Sequence, residues 1–140
     1  MIFLQIIIGA FVSGLDAGQV YQSWPLMNKS YFPDDSNLKD LFSLNSLNTP
    51  SLVQFIHRNL AYIIILIFVI TATIIFKNKD FTYMRTTILL VFVSLFLQVI
   101  LGILTVLSGA QIILASMHQI GSIILVTTSL ILVFRNSKIS

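Results

Sequence analysis

Apolar positions along this chain do not alternate with polar ones at a strand period or leave a polar stripe at a helical one. They run on without interruption. From Thr86 to Phe134, 49 residues contain no Asp, Glu, Lys or Arg. One bilayer crossing takes about 20 apolar residues. The run therefore predicts two transmembrane helices, at about 86–107 and about 112–134, joined by a turn at "LSGAQ". Upstream, about 52–76 predicts a third crossing, which stops at "KNKD". The opening stretch "MIFLQIIIGAFVSGL" predicts a short helix at about 1–15, cut off by Asp16. A signal peptide would need a positive n-region and a small-x-small cleavage site, and neither is clear there. Residues 77–85 form a short polar connection. Residues 16–51 hold Pro25, Pro33 and Pro50 among Asn and Ser clusters and predict loop. Within that loop "DDSNLKDLF" is a candidate for a short amphipathic helix. The fold class is all-α integral membrane: a four-transmembrane-helix bundle in a single membrane domain.

Composition sharpens this. The chain is 56% hydrophobic and 9% charged, with a mean hydropathy of +0.95. Soluble domains carry about 25% charged residues, so too little charge is present to cover a soluble surface. The net charge of +3 and pI near 9.5 do not point to nucleic acid. The basic residues flank apolar segments, where they set topology. Lys77, Lys79 and Arg85 stand against Asp80 in the 77–85 connection, and Arg135 and Lys138 close the chain. The long loop carries Asp16, Asp34, Asp35 and Asp40 against Lys29 and Lys39. The 77–85 connection and the C-terminus are thus expected inside, and the long loop and "LSGAQ" outside. With no cysteine, disulfides, thiolate metal sites and the usual c-type haem attachment are excluded.

The two histidines carry the candidate chemistry. His57 stands in "VQFIHRNLAY" and His118 in "ASMHQIGSII". Both fall near the outer start of a crossing that runs inward, at a depth of roughly 8–9 Å at 1.5 Å per residue. A polar group inside a membrane is costly and usually faces the bundle interior. Two imidazoles at matched depth fit metal ligation, haem ligation, a proton relay or plain helix–helix hydrogen bonding. A zinc or copper site wants three or four ligands, and no third His, Cys or Glu exists here. A proton path wants a carboxylate at membrane depth. Haem asks for less, because the porphyrin supplies four nitrogens and the protein one or two.

The neighbours are compatible with haem and with blander roles. Arg58 stands to meet an anionic propionate, or to snorkel toward headgroups. Gly121 and Ser122 admit a flat macrocycle or tight helix packing. Gln98 and Gly102, at i and i+4, share one helix face, with Gln98 either a buried bonding partner or a staple between helices. Asn59 is a small polar cost near the interface. In "GLDAGQVYQSWPLM", Gly14 and Gly18 supply positive φ for a turn, or the segment forms an outer lid with Tyr21 and Trp24.

With those residues in place, the chain resembles the C-terminal half of haem A synthase, closest to the mitochondrial and alphaproteobacterial type. The blocks that carry the resemblance are "GAFVSGLDAGQVYQSWPLMN" with "FPDD", "VQFIHRNLAY", "LQVILGILTVL" and "MHQIGSIILV", in that order from about Gly9 to Leu125. The resemblance implies half of an eight-helix fold, built as two similar four-helix halves. It implies an oxidoreductase that converts the haem O methyl group to the haem A formyl group for cytochrome oxidase. It implies that His57 and His118 hold the iron of a haem b, with Arg58 as a further binding residue. The family's substrate half and its important Glu have no counterpart here, and the chain contains no glutamate. The chain is thus expected to be a fragment, one partner of a split enzyme, or the product of a decayed gene, and to be inactive alone. A free-standing bis-histidine b-type cytochrome and a plain membrane scaffold are the alternatives. Expected partners are membrane lipid and an N-terminal half, with haem O synthase and the oxidase assembly machinery beyond. The expected location is the bacterial inner membrane, or the mitochondrial inner membrane.

Overall fold

The computed structural model describes residues 1–137; Lys138, counted above as a basic tail residue, lies outside the described residues. Four helices make up the body: α1 (Ile2–Gly14), α2 (Pro50–Lys77), α3 (Arg85–Leu107) and α4 (Ile112–Ser137). The chain is a multi-pass membrane protein. Helices α2 and α4 and the α3 segment are long and apolar enough to cross a bilayer. Helix α1 has 13 residues, about 20 Å at 1.5 Å per residue, against a hydrocarbon core of about 30 Å.

Local chemistry sets the helix ends. Pro50 occupies the first turn of α2, where its missing N–H would be unpaired in any case. Helix α2 stops at Lys77, and the Asn78 side chain accepts the Asp80 N–H to start a 3₁₀ segment, Lys79–Met84. Helix α3 ends at Leu107, with Ser108 as its cap. Gly109 (φ 68°) and Ala110 (φ 60°) then turn the chain back with two successive left-handed residues, and the Ala110 N–H reaches Thr105 O at 2.8 Å.

Successive helices pack as neighbours: α1 on α2, α2 on α3, and α3 most extensively on α4, while α1 touches α4 to close the ring. The core lies along one stripe of each helix. On α2 it includes Val53, Leu60 and Ile64; on α3, Ile88, Val91 and Leu95; on α4, Leu125 and Leu132; on α1, Ile8. These spacings of three, four and seven put each set on one face. The opposite faces expose large apolar residues, such as Leu66, Phe96 and Ile123, as lipid contact requires. The end of the bundle that carries the α2–α3 connection is stapled by Arg85, which donates to Phe76 O at 2.9 Å, and by Arg135, which donates to Thr87 Oγ1 at 2.8 Å.

The long loop is folded onto α2. Tyr21, Met27 and Pro33 are buried in it. Tyr31 and Phe32 both stack edge-on against Phe55. Ser23 Oγ donates to Leu26 O and accepts the Asn28 N–H, which closes a tight bend. No α-helix forms over "DDSNLKDLF". The Asp40 carboxylate accepts the Asn37 N–H, and only the 3₁₀ turns Asp40–Phe42 and Leu44–Asn48 follow. Positive φ in the 14–18 segment falls on Asp16 (φ 50°), not on Gly14 or Gly18. Gly18 serves close packing instead, since a Cβ there would sit 3.1 Å from Ala110 Cβ.

Candidate functional site

His57 is the eighth residue of α2 and His118 the seventh of α4, at about 10 Å and 9 Å from the N-terminal ends of their helices. Each belongs to its helix's core stripe: Val53, His57, Leu60 and Ile64 on α2, and His118, Gly121, Leu125 and Leu132 on α4. Both rings therefore turn inward. Helices α2 and α4 are not neighbours in the ring, so the two imidazoles enter the bundle from opposite sides.

Each histidine is gripped by a glutamine on the preceding helix. Gln98 Nε2 donates to His118 O at 2.9 Å. Gln5 Nε2 donates to His57 O at 3.1 Å and lies 3.2 Å from His57 Nε2. A glycine faces each ring edge: a Cβ on Gly9 would lie 3.2 Å from His57 Cε1, and one on Gly102 would lie 3.1 Å from His118 Cε1. The Nδ1 atoms of both histidines and the Oε1 atoms of both glutamines are buried without a partner. Buried polar atoms are rarely left unpaired, so four orphans around two imidazoles set this region apart from the rest of the bundle. Gly121 proves to be a packing residue, because Gln98 Oε1 occupies the space where its Cβ would stand, 2.6 Å away.

Arg58 points up into the loop. It donates to Tyr21 O at 2.9 Å and to Leu26 O at 3.4 Å, while its Nε is buried and unpaired. Gln54, one turn earlier and fully buried, donates to the same Tyr21 carbonyl at 3.0 Å. The Tyr21 hydroxyl accepts the Asp34 N–H. Burial, and after it the nearby Asp35 carboxylate, push the Tyr21 phenol above its usual range, so it stays neutral. Trp24 is exposed and donates to Tyr62 OH. Asn59 carries no unpaired cost: it accepts from Tyr31 OH and donates to Phe55 O. The loop then crosses to the other hairpin, where Gln22 packs on Gly109 and Gly18 on Ala110.

Chemically, the site offers two inward imidazoles. No group of three or more His, Cys, Asp and Glu able to hold a metal ion exists among the described residues. Gln5 and Gly9 were not singled out from the sequence, although they repeat the spacing of Gln98 and Gly102. The signal was the recurrence of Gln-x-x-x-Gly before each His-bearing helix.

Residues 1–130 match the cytochrome oxidase assembly protein family. The chain belongs to that family. Its relatives include the protein named "Heme A synthase" of Pelagibacter ubique, 43% identical over 139 residues, which cover 99% of this chain and 40% of the relative. That of Rickettsia conorii is 38% identical over 128 residues, 91% of this chain and 37% of the relative. That of Roseobacter denitrificans is 38% identical over 117 residues, 84% and 30% respectively. The family member described here thus spans 30% to 40% of the length of these relatives. No solved structure matches it.

Proposed function

We propose that this chain is the haem b-binding C-terminal half of a haem A synthase. In that reading it supports oxidation of the haem O methyl group to the haem A formyl group for cytochrome oxidase, and works together with an N-terminal half that holds the substrate. Its four helices cross the bacterial inner membrane, with α1 completing the fourth crossing. Haem O synthase and the oxidase assembly machinery are its wider partners.

The observation that carries the reading is the pair of inward imidazoles on α2 and α4, set among four buried polar atoms that have no partner in the protein. A haem needs two axial nitrogens and supplies its remaining coordination itself, so the donor set fits. His57 and His118 would hold the iron. When bound, such a haem supplies one-electron transfer. The rest is done by the chain. Apolar core residues Leu60, Ile64, Val91 and Leu125 keep water from the site. Gln5 and Gln98 bear on the two histidines. Arg58 and Gln54 hold the loop over the outer end, and Arg58 has N–H groups left for an anionic propionate beside His57.

The deciding experiment is an optical spectrum of the chain purified from haem-replete membranes. A low-spin b-type spectrum that is lost in both His57→Ala and His118→Ala is expected. A chain that binds no haem, or keeps the same spectrum without either histidine, refutes the reading.

A further inference from the structure

The two halves of this bundle present their histidines in the same way. On α1, Gln5 lies nine residues before the last residue, Gly14, and Gly9 follows Gln5 by four. On α3, Gln98 lies nine residues before Leu107, and Gly102 follows by four. Each glutamine sends its amide N–H to the backbone carbonyl of the histidine on the next helix, at 3.1 Å and 2.9 Å. Each glycine gives its space to the imidazole edge. The connections differ completely: a long folded loop separates α1 from α2, and a tight turn separates α3 from α4. Matching loops therefore cannot be the source of the match.

We infer that Gln5 and Gln98 are positioning residues, each fixing the height and rotation of the histidine on the following helix so that both rings meet one flat ligand at equal depth. The inference rests on the haem-binding reading for the identity of that ligand. Its physical basis is simple. A helical carbonyl already accepts a bond from its own helix. A second bond from a glutamine one helix away ties the histidine's backbone at a distance set by three side-chain bonds, and stops the helices sliding. The glycine one turn further on leaves room for the ring.

At His57 the glutamine does more. The nitrogen that faces the ring also donates to a carbonyl, which only accepts, so it is the NH₂ end of the amide. His57 Nε2 must then accept, and Nδ1 carries the proton. Gln5 thus selects the Nδ1–H tautomer; it engages the Nε2 electron pair itself, and releases that bond while keeping the one to His57 O when Nε2 meets an iron. His118 has no such bond from Gln98, so its tautomer is not set in this way.

The test uses the full chain in lipid nanodiscs with ¹⁵N-labelled histidine. In the haem-free protein, His57 is expected as the Nδ1–H tautomer, and Gln5→Leu is expected to give mixed tautomers at His57 with His118 unchanged. Titration with hemin should then give a pure low-spin spectrum for the parent chain. Gln5→Leu and Gln98→Leu should give mixed spin and about tenfold weaker uptake, the loss of roughly one well-placed hydrogen bond. Thr87→Val, which removes the Arg135 staple, is the structural control and should lower thermal stability with no spectral change. Gly9→Ala and Gly102→Ala push on the rings without touching the glutamines. They should reproduce the mixed spin, and they replace either Leu variant that fails to fold. An unchanged His57 tautomer together with pure low-spin spectra in the glutamine variants overturns the positioning role. A parent chain that takes up no hemin refutes the haem reading instead, and leaves the tautomer measurement to decide on Gln5.

Discussion

Removing Arg58 should open the outer loop before it disturbs the helices. The guanidinium holds Tyr21 O at 2.9 Å and Leu26 O at 3.4 Å. The longer bond is near the outer limit and contributes little. A hydrogen bond from a charged donor contributes roughly 1.5–3 kcal/mol, and the partial exposure of Arg58 favours the lower end. Arg58→Ala should therefore raise the opening constant of the loop about tenfold. Gln54 donates to the same carbonyl from a fully buried position. Gln54→Leu should cost less, about 1 kcal/mol, since it also removes an unpaired Oε1. The double variant should exceed the sum, because it leaves the Tyr21 carbonyl with neither donor. Hydrogen exchange read by mass spectrometry over residues 17–33, in nanodiscs, measures all three. The reasoning fails if exchange there is unchanged in Arg58→Ala, or if it rises equally in α3, which would mean global loosening.

Other expectations concern single contacts. Gly121→Ala forces a Cβ to within 2.6 Å of Gln98 Oε1, and should lower stability by about 1–3 kcal/mol as an overpacked contact, read as a shift in thermal unfolding in detergent. Asn59→Leu leaves the Tyr31 hydroxyl without its acceptor and should cost about 1 kcal/mol, with faster exchange confined to the loop around Tyr31. Gly109→Ala places a side chain at φ 68° and 3.0 Å from the Gln22 side chain. It should cost about 1–2 kcal/mol and loosen the contact between loop and turn, checked by a disulfide-trapping pair placed across it. Expressed alone in cells that make haem O but lack their own synthase, the chain should give no haem A above background by extraction and chromatography.

Much of this arrangement was legible in residue order. The long apolar runs marked α2, α3 and α4, because nothing but hydrocarbon tolerates 49 residues without charge. Matched spacing from the outer helix starts brought out His57 and His118. What could not be read was loop structure. Asp16 rather than a glycine took the left-handed position, since a short polar side chain tolerates it and Gly18 was needed against Ala110. Asn59 looked costly because its partner, Tyr31, lies 28 residues away. Arg58 looked free for a ligand or a headgroup because backbone carbonyls, its actual acceptors, leave no mark in a sequence. Gln5 was hidden by the brevity of α1, which offered too few turns for a stripe to stand out.

The clasp between loop and turn has a consequence for how the molecule is made. Gly18 and Gln22 leave the ribosome some ninety residues before Gly109 and Ala110, on which they rest. The loop emerges early, yet one of its seats is created only when α3 and α4 have formed their hairpin. Until then the loop is held by α1 and α2. A nascent chain whose α3–α4 hairpin is misplaced would display an unlatched loop, open to proteolysis. Correct placement of α3 and α4 is in this way reported by the loop between α1 and α2, and limited proteolysis of translation intermediates would register the moment at which the latch closes.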